Sequence, residues 1–283
     1  MVLPPELIHA TIHGDLGTLQ TFLDQHPGGA DDVANEGPMA NRTMSEITLM
    51  CLTNPDHGAT PRQALQIMRL LLSRGADPNH TLGNTFAATI LTEACIIVWS
   101  EGVELLLQAG ADPNLTCDPT GIGGPSHALS LLLCDSWLQN DPSGRMPVGV
   151  ARDMHKIVEL LLRAGHPLDF LFRGEIRSLE SRILLMTRIH QGVPDALDDL
   201  MNLARAMRAA QSTSTSTRLT PWQKYCLVPP KELLRLRSLV ARGRAREKVR
   251  TRRKTPREIS LLFAPSFPNE LFWKVTEYWN PRA

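Results

Sequence analysis

The chain has few aromatic residues and few cysteines, and both shortages narrow what it can be. Aromatics make up 5% of its 283 residues, so aliphatic side chains must build most of the core that a 42% hydrophobic content allows. The five cysteines form no CxxC pair and no Cys/His metal pattern, and their odd number argues against a disulfide framework. The sequence shows no secretory signal and no apolar run long enough to span a membrane. These absences predict a soluble intracellular protein, cytoplasmic or nuclear, that does not associate with membranes.

Motifs of catalysis are missing as well. Residues 121–125 (GIGGP) lack both the preceding strand and the following Gly-Lys-Ser/Thr of a phosphate-binding loop. The chain has no GxSxG elbow and no Cys/His arrangement with a supporting motif. His9 and His13 stand four residues apart, a spacing that can bind zinc, but no further ligand is placed to complete the set. The sequence therefore predicts a protein that is not an enzyme and uses neither a cofactor nor a metal.

Charge is distributed unevenly along a chain whose formal net charge is only +1. Residues 231–257 carry twelve Lys or Arg against two acidic residues, which leaves the remainder with 18 basic and 27 acidic residues. The overall balance therefore hides an acidic body and a basic tail region.

A ten-residue phrase recurs along the body of the chain. It reads LLLSRGADPN at residues 70–79 and LLLQAGADPN at residues 105–114, with a weaker copy, LLLRAGHPLD, at residues 160–169. In each copy the leucines close an amphipathic helix, and a glycine such as Gly75 or Gly110 takes the left-handed conformation that ends it. A phrase recurring after 35 residues predicts stacked repeats, with one helical unit per copy.

Residues 89–95 (TILTEAC) precede the second GADPN turn by the distance that separates an inner helix from its turn in the ankyrin repeat. Together these segments resemble the ankyrin repeat, whose pattern runs TPLHxAA, a tight turn, an outer helix with two leucines and a GAD(V/P)N turn. The resemblance covers roughly residues 5–170. It implies an all-α fold, an ankyrin-repeat solenoid of four to five degenerate repeats over residues 1–209, with a small helical C-terminal extension.

The positions of the remaining helices are predicted by measuring the repeat length along the chain from the GADPN turns. Inner helices are predicted at residues 45–51 and 127–133, and a first repeat at residues 7–23. A degenerate terminal helix pair is predicted at residues 178–189 and 194–208. Two insertions lengthen the spacing between predicted helices. One is a predicted loop around residues 54–61, and the other is a Pro/Gly-containing segment before the outer helix predicted at residues 154–163.

Cysteines occupy similar positions in successive predicted inner helices. Cys51 and Cys95 match, and Cys134 falls one residue later. A redox or metal site would use such a series, but closely stacked helices also require small apolar residues at this position, and a free cysteine behaves as one. We therefore assign the cysteines to the core.

Beyond the repeats, a Ser/Thr-rich linker is predicted at residues 210–218, followed by a basic helical region at residues 219–283. The densest part of the basic run contains Arg250, Arg252, Arg253 and Lys254. Three interpretations stay open for this run: a solvated linker, a nuclear-import signal, or a set of phosphate contacts.

Two tail segments are similar to adaptor motifs. Residues 230–242 (PKELLRLRSLVAR) and 267–271 (FPNEL) are similar to the two elements of a SOCS box, although Arg237 replaces its usual cysteine. Residues 267–279 also resemble the opening helix of an F-box. Either resemblance implies recruitment to a cullin-type ubiquitin ligase.

The sequence thus predicts a monomeric, non-enzymatic scaffold or adaptor that binds a protein partner on the concave ankyrin surface. The family resemblance implies recognition by segments such as residues 80–86 and 116–126, which precede inner helices. The alternative is a substrate receptor of a cullin-type ubiquitin ligase, recruited through the tail. Nucleic acid is not the expected partner, because no aromatic residue interleaves the basic run.

Overall fold

The computed structural model describes residues 2–34, 39, 41–53, 59–82, 88–118, 124–134, 148–189, 194–213, 218–228, 235 and 238. This described part of the chain is mostly helical, with three short pairs of strands. By its internal contacts the chain divides into two compact units, Met1–Arg205 and Ala206–Ala283.

Four pairs of helices build most of the first unit. They are α1 (Pro5–His13) with α2 (Leu16–Gln25), α3 (Met44–Thr53) with α4 (Pro61–Ser73), α5 (Ile90–Ile96) with α6 (Ser100–Gln108), and α7 (Ala128–Leu132) with α8 (Val148–Arg163). Helices α1, α3, α5 and α7 pack one against the next in a layer that we call the inner layer. Helices α2, α4, α6 and α8 do the same in the outer layer. Helices are present where the phrase predicts them, but α8 begins at Val148, six residues before the predicted start at Met154 and inside the segment expected to be an insertion.

The strands are short and connect the helix pairs. Strand β1 (Val2–Leu3) is parallel to β2 (Val33–Ala34), and a single turn of 3₁₀ helix at Gly29–Asp31 precedes β2. Strand β3 (Thr116–Cys117) is antiparallel to β4 (Ser126–His127), and β5 (Asp169–Phe172) is antiparallel to β6 (Glu175–Ser178). Two helices follow, α9 (Leu179–Ile189) and α10 (Pro194–Thr213).

Three features differ from the sequence-based expectations. The β5–β6 hairpin was not predicted; its two-residue turn has positive φ at Arg173 and Gly174, as a type I′ turn requires. Pro61 was expected in a loop, but it is the first residue of helix α4. The helix begins there because Thr60 and Gln63 form a capping box and proline suits the first turn of a helix. Helix α10 continues to Thr213, into the segment whose composition predicts a linker.

The recurring turn owes its sequence to hydrogen bonds within and between helix pairs. Gly75 and Gly110 have φ of +91° and +95°, as predicted for residues that end a helix. The Asp77 carboxylate accepts from the Asn79 amide within the turn at 2.9 Å. Asn79 then reaches the next turn: its Oδ1 accepts from the Asp112 amide at 2.7 Å, and its Nδ2 donates to the Gly110 carbonyl at 3.4 Å. Each GADPN turn is therefore both a helix stop and a link to its neighbour.

The third copy of the phrase cannot continue these links. Gly165 keeps the left-handed conformation, with φ of +102°, but Pro167 stands where the second copy has Asp112. A proline has no amide hydrogen to donate, so the side chain of the preceding turn has nothing to accept there. The chain then enters the β5–β6 hairpin, which explains why the phrase ends near Asp169.

Replacing Asn79 by alanine is expected to lower the free energy of unfolding by about 1 kcal/mol, because two hydrogen bonds between neighbouring turns are lost. Asn114→Ala is the matched control, since among the described residues the Asn114 side chain bonds to Asp112 of its own turn, at 3.2 Å, and to no neighbouring turn. Urea titration of both variants measures the difference. An equal loss in the two variants would show that the link between turns contributes nothing.

Helix α9 is held against the preceding elements by a buried arginine. Arg182 is 6% exposed, donates a hydrogen bond from Nη2 to the Leu133 carbonyl, and lies 4.4 Å from the centre of the Phe172 ring. Leu179 and Ile183 of α9 are fully buried. The helix predicted at residues 178–189 therefore packs on β6 and contacts Phe172 of β5 and Leu133, which follows α7.

The second unit contains one further described helix, α11 (Pro221–Cys226). Thr220 and Gln223 form its capping box, and Trp222 and Tyr225 are buried with ring centroids 5.6 Å apart.

Candidate functional site

A cleft of about 200 Å³ opens between α3 and α5 of the inner layer. We call it the inner-helix cleft. Its apolar lining residues are Leu49, Met50, Leu82 and Ile97. Its polar lining residues are Arg42, Glu46, Thr53 and Glu93. The lining thus combines aliphatic surface with two carboxylates and one guanidinium.

Glu46 is the most deeply buried charged group of the cleft. Its side chain is 1% exposed, which is unfavourable for a carboxylate unless cationic or hydrogen-bonding groups surround it. His80 Nε2 lies 3.2 Å from Glu46 Oε1, and Arg42 Nη1 lies 3.7 Å from Glu46 Oε2. These two partners, Arg42 from just before α3 and His80 from the segment after α4, hold the Glu46 carboxylate in place.

Glu93 lies on α5 and is half-buried. Burial raises the pKa of its carboxyl above the ordinary value, the nearby Glu46 carboxylate raises it further, and the Arg42 guanidinium opposes both effects. No residue in the described part of the chain forms a hydrogen bond or ion pair with the Glu93 side chain. Glu93 therefore presents a partly desolvated carboxylate to the cleft.

Local sequence explains how these side chains are placed. Thr43 accepts a hydrogen bond from the Glu46 amide at 3.3 Å and Thr89 from the Thr92 amide at 3.2 Å, so each hydroxyl caps the helix that carries a glutamate. The pairing of Arg42 with Glu46 could have been read from their spacing of four residues. Nothing in the sequence indicated that His80 or Glu93 joins them, because helix stacking alone brings these residues together.

The segments expected to recognise a partner are described in part. Within residues 80–86 the structure describes His80, Thr81 and Leu82, and the first and last of these contribute to the inner-helix cleft or its ion pairs. Within residues 116–126 it describes the strand pair β3–β4. There the Ser126 hydroxyl accepts from the Arg173 amide at 2.9 Å, and thus ties β4 to the β5–β6 turn.

The assignment of the aligned cysteines to the core is confirmed. Cys51, Cys95 and Cys134 are 4%, 0% and 7% exposed, Cys117 is also buried, and all five cysteines are free thiols. Burial raises the pKa of Cys51 to about 11 and also raises that of Cys95, so neither forms a thiolate readily. Cys226 is half-buried.

Four histidine rings form two ring contacts, one on α1 and one between β4 and the third copy of the phrase. His9 and His13 pack with ring centroids 4.1 Å apart on α1, and the described residues include no group of three or more His, Cys, Asp or Glu able to hold a metal ion. The rings of His127, in β4, and His166 meet edge to face with centroids 5.1 Å apart. His166 is fully buried, and sequence reasoning did not single it out.

The basic run with Arg250, Arg252, Arg253 and Lys254 lies outside the described residues, as do both adaptor-like segments of the tail. Their interpretation as import signal, phosphate contact or ligase-recruiting element stays a prediction. Among the residues that the structure describes, no helix combines the length and apolar character needed to cross a membrane. No protein-family model matches the chain, and no curated protein matches its sequence.

Proposed function

We propose that residues 1–209 form an ankyrin-repeat solenoid that binds a protein partner on the surface of its inner layer. The two stacked layers of helices support the repeat assignment, as do turns that end α4, α6 and α8 with a left-handed glycine in each case. Stacked repeats of this kind bury their cores between neighbours and leave an extended face for a ligand. On this proposal the chain is a non-enzymatic scaffold or adaptor.

The inner-helix cleft is the observation that carries the proposal. At about 200 Å³ it is smaller than the usual pocket for a cofactor or a small-molecule substrate. Its size suits one side chain of a polypeptide lying across α3 and α5. The described residues around it offer no nucleophile activated by a neighbouring base, which favours binding over catalysis.

The test blocks the cleft without disturbing the core. Thr53 lines the cleft, is exposed at the last position of α3, and donates from its hydroxyl to the Met50 carbonyl. Ser73 is exposed at the last position of α4 in the outer layer and donates in the same way to the Leu70 carbonyl. Thr53→Trp and Ser73→Trp are therefore matched variants, one inside and one outside the proposed surface.

Affinity purification of the full chain, followed by mass spectrometry, is expected to recover the same partner with the wild type and with Ser73→Trp. Thr53→Trp is expected to lose it, because the indole fills the cleft. Recovery of the same proteins by all three chains, or of no partner by the wild type, would contradict the proposal.

A further inference from the structure

The charges of the inner-helix cleft are not balanced. Two glutamates face one arginine, and the guanidinium of Arg42 is engaged by Glu46 at 3.7 Å. His80 also contacts Glu46 rather than Glu93. Of the two carboxylates, Glu93 is thus the one that no described cation pairs with, although burial has removed part of its hydration.

The apolar residues that line the cleft suit the stem of a long basic side chain. Lysine and arginine bury their methylene groups along apolar surface while the charged end reaches a polar group. Here Leu49, Leu82 and Ile97 provide the apolar surface, and Glu93 provides the polar end. A phosphate or carboxylate of the partner would instead be repelled by the two carboxylates of the cleft, Glu46 and Glu93. A large aromatic side chain of the partner would leave Glu93 buried without a cation to pair with.

We infer that the cleft receives one lysine or arginine side chain of the partner protein, with its charged end paired to Glu93. This inference rests on the proposed function and names the chemistry of the partner. The new ion pair forms in a partly desolvated place, where a charge-assisted hydrogen bond is stronger than on an open surface. Glu93 is then the residue that selects a basic segment.

Peptide selection tests the preference directly. Random peptides displayed on phage are selected on the full-length chain, and the enriched sequences are expected to share a lysine or arginine at one position. Enrichment of acidic or purely apolar sequences would overturn the inference, and so would the absence of any enrichment.

A double-mutant cycle tests whether the basic residue meets Glu93. We expect Glu93→Gln in the protein to weaken binding about tenfold or more. Replacing the basic residue of the enriched peptide by norleucine is expected to weaken it by the same factor. The two changes together are expected to cost little more than one, because both remove the same pair. Glu101→Gln, at an exposed glutamate of α6, is the matched control and should bind as the wild type does.

The outcomes also separate this inference from the proposed function. If a partner is lost with Thr53→Trp but binds Glu93→Gln as tightly as the wild type, the inference is wrong and the proposed function stands. If blocking the cleft with Thr53→Trp leaves partner binding intact, the proposed function fails, and the inference fails with it. Glu93→Gln is expected to be at least as stable to unfolding as the wild type, since it removes a partly desolvated carboxylate whose pKa is raised by burial and by Glu46.

Discussion

Replacing Leu106 by alanine is expected to lower the free energy of unfolding by about 2–5 kcal/mol. Leu106 is the middle leucine of the second phrase and is 0% exposed on α6, between α4 and α8. Removal of its side chain leaves a cavity among close-packed neighbours, which relax only in part. The loss is measured by urea denaturation monitored by circular dichroism.

Leu184→Ala is the matched control, because the same substitution on α9 affects a side chain that is 46% exposed. It is expected to change the unfolding free energy by much less. If Leu106→Ala unfolded at the wild-type urea concentration, the assignment of the middle leucine to the core between outer helices would be wrong.

Acidification is expected to destabilise the protein through His166. Burial, together with the neighbouring His127, lowers the pKa of this imidazole to about 4, although the hydrogen bond from Nδ1 to the Pro167 carbonyl opposes the shift. Its Nε2 is buried without a hydrogen-bond partner among the described residues, so a proton there would have no acceptor to meet.

The sign of the effect follows from the two pKa values. In the unfolded chain the imidazole titrates near 6.5, so between that pH and about 4 the unfolded state binds more protons than the folded state. The contribution of His166 to the free energy of unfolding is fully present above pH 6.5 and is lost as the pH falls towards 4. The complete loss amounts to about 3 kcal/mol. Unfolding free energies measured by denaturant titration at pH 7, 5.5 and 4.5 follow this loss.

His166→Asn isolates the contribution of this residue. The asparagine amide retains a donor for the Pro167 carbonyl but does not titrate, so the variant is expected to lose less stability on acidification than the wild type. The half-buried His127, whose pKa burial also lowers, contributes in the same direction in both chains. Parallel pH profiles of the two chains would show that His166 does not carry the effect.

Much of the helical arrangement was predictable because the signals are local. Helix ends followed from residues such as Gly75 and Gly110, whose conformation is set within one turn of the chain. The burial of Cys95 followed from its place in a repeated pattern. The β5–β6 hairpin was missed because its turn residues, Arg173 and Gly174, lack the usual Asn-Gly or Asp-Gly signal.

The composition of the candidate site was not predictable from the sequence. His80 and Leu82, from the segment 80–86, lie at the inner-helix cleft, and a role of that segment in recognition stays a prediction. The charged residues that give the cleft its character were not singled out, because glutamates on a helix usually face solvent. Only burial distinguishes Glu46 and Glu93 from the exposed Glu101.

The sequence by itself determined the repeat period, the ends of most helices and the small residues that line their contacts, since each depends on residues close along the chain. Tertiary structure alone decided which charges meet. Glu46 and His80 are 34 residues apart, and they meet because the segment leading into α5 packs against α3. Tertiary structure likewise decided that His166 is buried, where the other copies of the phrase carry alanine. Stacking sets these distances, and no local pattern encodes them.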